Sequence, residues 1–178
     1  MKKTKIGIVG CGDISGIYLT NLQGMFKNTL EIVGVCDLVD AKATKAAEKC
    51  GKKKYKDMHE LFADTEVDIV LNLTRPYEHF DVTMAAINKG KHVYSEKPLG
   101  ATLEEGQKIR EAAQKAGVQI GGAPDTFLGG GIQTCRKLID DGYIGKPVAA
   151  TAFMVCRGHE TWHPDPAFYY QFGGGPMM

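Results

Sequence analysis

Short apolar, β-branched runs alternate with longer segments of helical spacing along the first two thirds of the chain. The runs KIGIVG (5–10), EIVGVCD (31–37), VDIVLNL (67–73), KHVYSE (91–96) and VQIGGA (118–123) read as buried strands. Between them, residues 14–25, 40–50, 58–63, 78–89 and 103–116 place apolar side chains at helical intervals. Strands that are apolar on both faces and joined by helical crossovers predict a parallel sheet covered on both sides. The pattern therefore predicts a doubly wound α/β domain over residues 1–123.

Near residue 124 the rhythm changes. Residues 132–141 predict one more helix, closed by Gly142, and residues 147–156 read as a longer strand whose alternation suits an open antiparallel sheet. A second domain of α+β type is expected to begin at residue 124 and to be incomplete at residue 178, where the chain ends on QFGGGPMM. A truncated chain is the expectation.

Composition narrows the partners. Lys and Arg number 22 against 21 Asp and Glu, and a net charge of +1 gives no drive toward nucleic acid or an anionic membrane. A small-molecule partner is expected instead. The basic run Lys52, Lys53, Lys54 and Lys56 lacks interleaved aromatics and reads as a solvated face. Five cysteines with no Cys-x-x-Cys pair predict reduced thiols and a cytoplasmic setting. The apolar run near the start is broken by glycines and followed by Asp13, so it is not a signal peptide. Nothing approaches the ~18 apolar residues of a membrane helix, and a soluble protein is expected.

Three motifs carry chemistry. The first strand runs into GCGDIS (10–15), where Gly10 allows a tight turn and Gly12 lets the backbone approach a pyrophosphate at a helix N-terminus. Ser15, followed by Gly16, takes the place of the usual third glycine. Placed between the first strand and the first helix, this loop makes the predicted fold Rossmann-type. The second strand ends in Asp37, 25 positions beyond Gly12, where a carboxylate accepts from ribose hydroxyls and repels a 2′-phosphate; Leu38, not Arg, follows it. NAD is expected rather than NADP. Asp37 also has the bland reading of a turn or cap residue. The fifth strand ends in SEKPLG (95–100), which sets Lys97 in the crevice beyond the strand ends, where an ammonium can hydrogen-bond a substrate oxygen.

The motif that first suggests a metal is HETWH (159–163), whose spacing on a helix would suit zinc. However, Pro164 disfavours helical backbone at His163, Gly158 and Pro166 flank the string, and only Asp165 follows as a further ligand. No metal is expected.

Taken together, GCGDIS, the Cys-Asp ending the second strand, NLTRPYEH (72–79) and EKPLG resemble the glucose-fructose oxidoreductase, inositol dehydrogenase and MocA family of nicotinamide-dependent oxidoreductases. That resemblance implies that Gly10, Gly12, Asp13 and Ile14 hold the pyrophosphate and Asp37 the adenosine ribose. It further implies that Thr74, Pro76 and His79 line the nicotinamide side, that Glu96 contacts the second ribose, and that Lys97 reaches cofactor and substrate as the catalytic residue. The Lys97-Pro98 bond is often cis in the family. Full-length members are about twice as long and commonly form homo-oligomers through the sheet of the second domain. They carry a Gly-Gly-x-x-x-Asp-x-x-x-His pattern whose Asp and His act on substrate; here Gly174 and Gly175 are followed only by Pro176, Met177 and Met178. Weak cofactor binding and poor turnover are therefore expected of this chain alone.

Asp125 and Thr126, after the last strand of the sheet, are candidate contacts to a hydroxyl-rich ligand, which favours a sugar or cyclitol. Trp162 and His163 become candidate walls of the substrate pocket. A hydride-transferring dehydrogenase is the leading reading, and a non-catalytic NAD-binding sensor or scaffold is the alternative.

Overall fold

In the computed structural model, which describes residues 2–175, every strand joins one parallel sheet. The strands are Thr4–Val9 (β1), Leu30–Cys36 (β2), Lys53–Lys54 (β3), Ile69–Asn72 (β4), His92–Ser95 (β5) and Ile120–Gly122 (β6). Their order is β3-β2-β1-β4-β5-β6. The order reverses direction between β1 and β4, which opens a crevice at their carboxyl ends. Residues 176–178, which hold the end of the expected glycine-rich tail, lie outside the described residues.

The helices are Ser15–Gln23 (α1), Asp40–Cys50 (α2), Met58–Ala63 (α3), His79–Ile87 (α4), Leu103–Ala116 (α5) and Gly130–Asp140 (α6). Local chemistry sets their limits. At α5, the Thr102 side chain accepts from the Glu105 amide at 3.1 Å, and Gly117 closes the helix in the left-handed conformation at φ 69°. Gly51 ends α2 in the same way, at φ 62°.

Two cores separate the helices by face. Leu19 and Leu22 of α1 and Ala46, Ala47 and Cys50 of α2 pack with Ile6, Ile8, Ile32 and Leu71 of the sheet. On the other face, Phe62 of α3, Val82 and Ala86 of α4, and Ile109 and Ala113 of α5 pack with Val9, Val70 and Val93. Successive strand residues such as Ile8 and Val9, or Val70 and Leu71, point into opposite cores. Continuous apolar strands therefore serve two layers of helices, and the doubly wound α/β fold expected from the sequence is the one observed.

Two expectations are corrected. β3 is two residues long, too short to leave a periodic signal. Residues 147–156 form no strand: their alternation is real, but no neighbouring strand among the described residues offers a ladder, and their side chains are exposed. α6 forms as expected but starts at Gly130, and none of its residues is buried. No helix among the described residues is long and apolar enough to cross a membrane. Lys52, Lys53 and Lys54 meet Glu31, Glu60 and Asp40 at 3.0, 3.2 and 2.6 Å.

Candidate functional site

The glycine loop is built by a close approach of β1, β2 and β4. The Gly10 amide donates to the Cys36 carbonyl at 2.9 Å, and Gly10 holds φ at 96°. A Cβ at Gly10 would lie 2.6 Å from the carbonyl of Leu73, whereas one at Gly12 would meet nothing within 4 Å. One glycine thus makes room for the protein and the other leaves room for a ligand. The Ser15 hydroxyl donates to the Gly12 carbonyl at 2.6 Å and ties the loop to the first turn of α1. That turn carries no acidic residue. The amides of Gly12, Asp13 and Ile14 find no acceptor among the described residues, and amides of this kind at a helix N-terminus suit a phosphate group.

Asp37 closes the other side of this loop. One carboxylate oxygen accepts from the Cys11 amide and the other from the Val39 amide, each at 2.7 Å. Asp37 thus has a turn role, and each of its oxygens keeps a further lone pair free to accept. Burial, and then the charge of Asp37, pushes the Cys11 thiol up to about 12.

The second loop follows β5. The Glu96 amide donates to the Asn72 carbonyl at 2.9 Å and extends the ladder one residue past Ser95. The Tyr18 hydroxyl donates to Glu96 Oε1 at 2.7 Å, and the Lys97 amide donates to Oε2 at 3.1 Å. Burial and the Glu96 carboxylate together push the Tyr18 hydroxyl far above its ordinary value. Lys97 is exposed, and its ammonium has no partner among the described residues. The Lys97-Pro98 bond is cis.

Behind these loops lies a buried polar network. Asn72 donates to the His79 carbonyl at 3.2 Å and to the Thr83 hydroxyl at 3.1 Å, and it accepts from the Thr74 hydroxyl at 2.6 Å. His79 is 1% exposed, with its ring nitrogens 2.6 Å from the Pro98 oxygen and 3.1 Å from the Thr74 oxygen. Its ring thus faces main-chain carbonyls. Pro76 opens a short 3-10 turn, Pro76–Glu78, that leads into α4.

Gly10, Gly12, Asp13, Ile14, Asp37, Thr74, Pro76, Glu96 and Lys97 accordingly follow the carboxyl ends of β1, β2, β4 and β5. Asp125 and Thr126 are exposed beyond β6, and burial, with the Asp125 charge adding to it, raises Tyr94. The segment from His159 onward folds back toward the loops. His163 Nε2 lies 3.8 Å from Asp13 Oδ2, Arg75 pairs with Asp165, and the Arg75 guanidinium sits 5.6 Å from the centre of the Phe168 ring. His163 therefore faces the glycine loop, while Trp162 is 62% exposed. HETWH forms only a 3-10 turn, His159–Thr161, and among the described residues no cluster of three potential metal ligands occurs.

Sequence reading missed Tyr18, Asn72 and Arg75. Tyr18 looks like one more aromatic on a helix, and only the fold brings it to Glu96, 78 positions away. Asn72 sits within an apolar strand run, where a fully buried amide is itself a signal of a polar network.

The sheet order, the glycine loop and the carboxylate at the end of β2 define a Rossmann-type dinucleotide-binding domain. The chain belongs to the Gfo/Idh/MocA family, described as an oxidoreductase family with an NAD-binding Rossmann fold, whose model matches residues 4–122. It is 38% identical over 149 residues to inositol 2-dehydrogenase of Salmonella typhimurium, covering 81% of this chain and 44% of that protein. Myo-inositol 2-dehydrogenase of Thermotoga maritima is 31% identical over 175 residues, covering 98% of this chain and 50% of that one. The chain thus spans about half the length of the curated relatives it matches. Among solved structures, the WlbA dehydrogenase of Chromobacterium violaceum, in complex with NADH and UDP-GlcNAcA, superposes with a TM-score of 0.76 at 25% identity, covering 79% of this chain and 41% of that one.

Proposed function

We propose that this chain is the NAD-binding part of a cytoplasmic dehydrogenase acting on a secondary alcohol of a sugar or cyclitol. Residues 1–123 form the cofactor domain in this reading, and residues 124–178 begin the substrate domain. The observation that carries the cofactor choice is Asp37, held at both oxygens by the Cys11 and Val39 amides, with the exposed Leu38 beside it and, among the described residues, no Lys or Arg paired with it. A fixed carboxylate accepts from two ribose hydroxyls and repels a 2′-phosphate.

The site fits the dinucleotide. The open side of Gly12 and the unpartnered amides of Gly12, Asp13 and Ile14 would hold the pyrophosphate. Thr74 and Pro76 would border the nicotinamide and Glu96 its ribose, with His79 acting behind them as a buried tie. When bound, the nicotinamide ring supplies a hydride acceptor or donor. Oxidation of the alcohol requires a base to take the hydroxyl proton; Lys97 would donate a hydrogen bond to the substrate oxygen and stabilise the alkoxide that loses hydride, or, in reverse, the negative charge that builds there as hydride adds to the carbonyl carbon. Asp125, Thr126, Trp162 and His163 are proposed to border the substrate side. Relatives named as inositol dehydrogenases support a polyol, and the whole protein is proposed to act as a homo-oligomer.

The test is calorimetric titration of the chain with NADH and NADPH. NADH should bind at least about tenfold more tightly, and Asp37→Ser should abolish that preference. Binding of neither nucleotide would overturn the reading. NADH binding without cofactor reduction by any polyol, in a form extended with an intact substrate domain, would favour a sensor over a dehydrogenase.

A further inference from the structure

Among the described residues, one side-chain hydrogen bond links α1 to the Lys97 loop, Tyr18 Oη to Glu96 Oε1 at 2.7 Å. Glu96 is the residue before Lys97, and its other oxygen accepts from the Lys97 amide at 3.1 Å. A carboxylate engaged at both oxygens keeps one orientation, while one engaged at a single oxygen rotates about its terminal torsion. Tyr18 therefore decides whether Glu96 is aimed or loose.

The origin of Tyr18 matters as much as its partner. It stands one turn beyond Ser15, whose hydroxyl fixes the Gly12 carbonyl at 2.6 Å. A single rigid helix thus carries the phosphate-facing amides at its start and the orienting hydroxyl on its side. The Tyr18 ring packs against the core beneath α1, so it is anchored apart from its hydroxyl.

We propose that Tyr18 is a positioning residue that aims Glu96 at the ribose on the nicotinamide side of the dinucleotide. Affinity for the nicotinamide half then depends on the Tyr18 hydroxyl, and affinity for the ADP half does not. The inference rests on the dinucleotide reading given above. Tyr18 touches neither cofactor nor substrate and acts through Glu96.

The experiment is calorimetric titration of the wild type, Tyr18→Phe, Glu96→Ala and the double variant with NADH and with ADP, which lacks the second ribose. Tyr18→Phe keeps the packed ring. It should leave ADP affinity within about twofold and weaken NADH about three- to tenfold, the net worth of a typical hydrogen bond, because Glu96 is loosened and not removed. In the Glu96→Ala background the same substitution should add nothing, because its only route is gone. A merely structural role would weaken both ligands together. Equal loss for ADP and NADH, no loss for either, or additive losses in the double variant would each overturn the proposal. If the wild type binds neither ligand, the dinucleotide reading fails and this inference fails with it. If the wild type binds both and Tyr18→Phe matches it, only the inference fails.

Discussion

The His79 ring, in the first turn of α4, places Nδ1 2.6 Å from the main-chain oxygen of Pro98 across 19 positions of sequence. Its other nitrogen lies 3.1 Å from the Thr74 oxygen, so one buried imidazole ties the loop after β4 to the loop after β5. Replacement by alanine would remove the ring's N–H from beside these carbonyls and leave a cavity the size of the ring. His79→Ala should destabilise the chain by about 2–4 kcal/mol, read from the urea midpoint at constant m-value. A direct cofactor contact would instead lower NADH affinity with little change in stability.

The doubly wound sheet was legible because its strands are apolar on both faces and its helices begin and end on strong signals. Thr102 and Gly117 bracket α5 in sequence as they do in space. The places of the glycine loop, Asp37 and Lys97 directly after the ends of β1, β2 and β5 were legible too. What sequence could not supply is anything that depends on a long-range meeting. Tyr18 finds Glu96, Arg75 finds Asp165, and the His79 ring turns inward to carbonyls. Residues 147–156 show the opposite limit: alternation records what a strand would present to a neighbour, and pairing requires the neighbour.

Thiol chemistry divides by burial. Cys11, Cys36 and Cys50 are buried, while Cys135 and Cys156 are exposed. At pH 8 a thiol-reactive dye should modify the exposed pair quickly, and the other three only after denaturation. Burial first, with nearby negative charge, pushes Cys11 and Cys36 from the ordinary 9.0 up to about 12. Above pH 9 the unfolded chain therefore releases protons that the folded chain keeps. Stability from these thiols is fully present below about 9 and is lost as pH rises toward 12. The urea midpoint should fall between pH 9 and 10.5, by at most about 1.4 kcal/mol per pH unit for each thiol, and less steeply in Cys36→Ala.

The Arg75–Asp165 pair joins the loop after β4 to the segment that carries the aromatic rings, and both partners are about half exposed. Exposed pairs contribute little to global stability, about 0.2–1 kcal/mol. Asp165→Asn should therefore shift the urea midpoint only slightly but loosen the segment locally. Trp162, the only tryptophan, packs edge-on with His163 and Tyr169, and its emission should move to the red. Limited proteolysis should cut faster between residues 157 and 175 than in the wild type, with the sheet core resistant in both.

Gly10 and Gly12 sit two positions apart in one loop, and the structure predicts opposite consequences for the same substitution. An alanine at Gly10 would carry a Cβ 2.6 Å from the Leu73 carbonyl at φ 96°, so backbone must move or the turn must open. Gly10→Ala should lower stability by at least about 2 kcal/mol and reduce nucleotide binding as a consequence. At Gly12 the added carbon meets no protein atom within 4 Å. Gly12→Ala should leave the urea midpoint within about 0.5 kcal/mol of wild type. Its methyl group would instead stand in front of the unpartnered amides, and NADH and ADP should both weaken by about tenfold or more. Equal destabilisation by both substitutions would show that the loop is held as one rigid unit, without a face left open for phosphate.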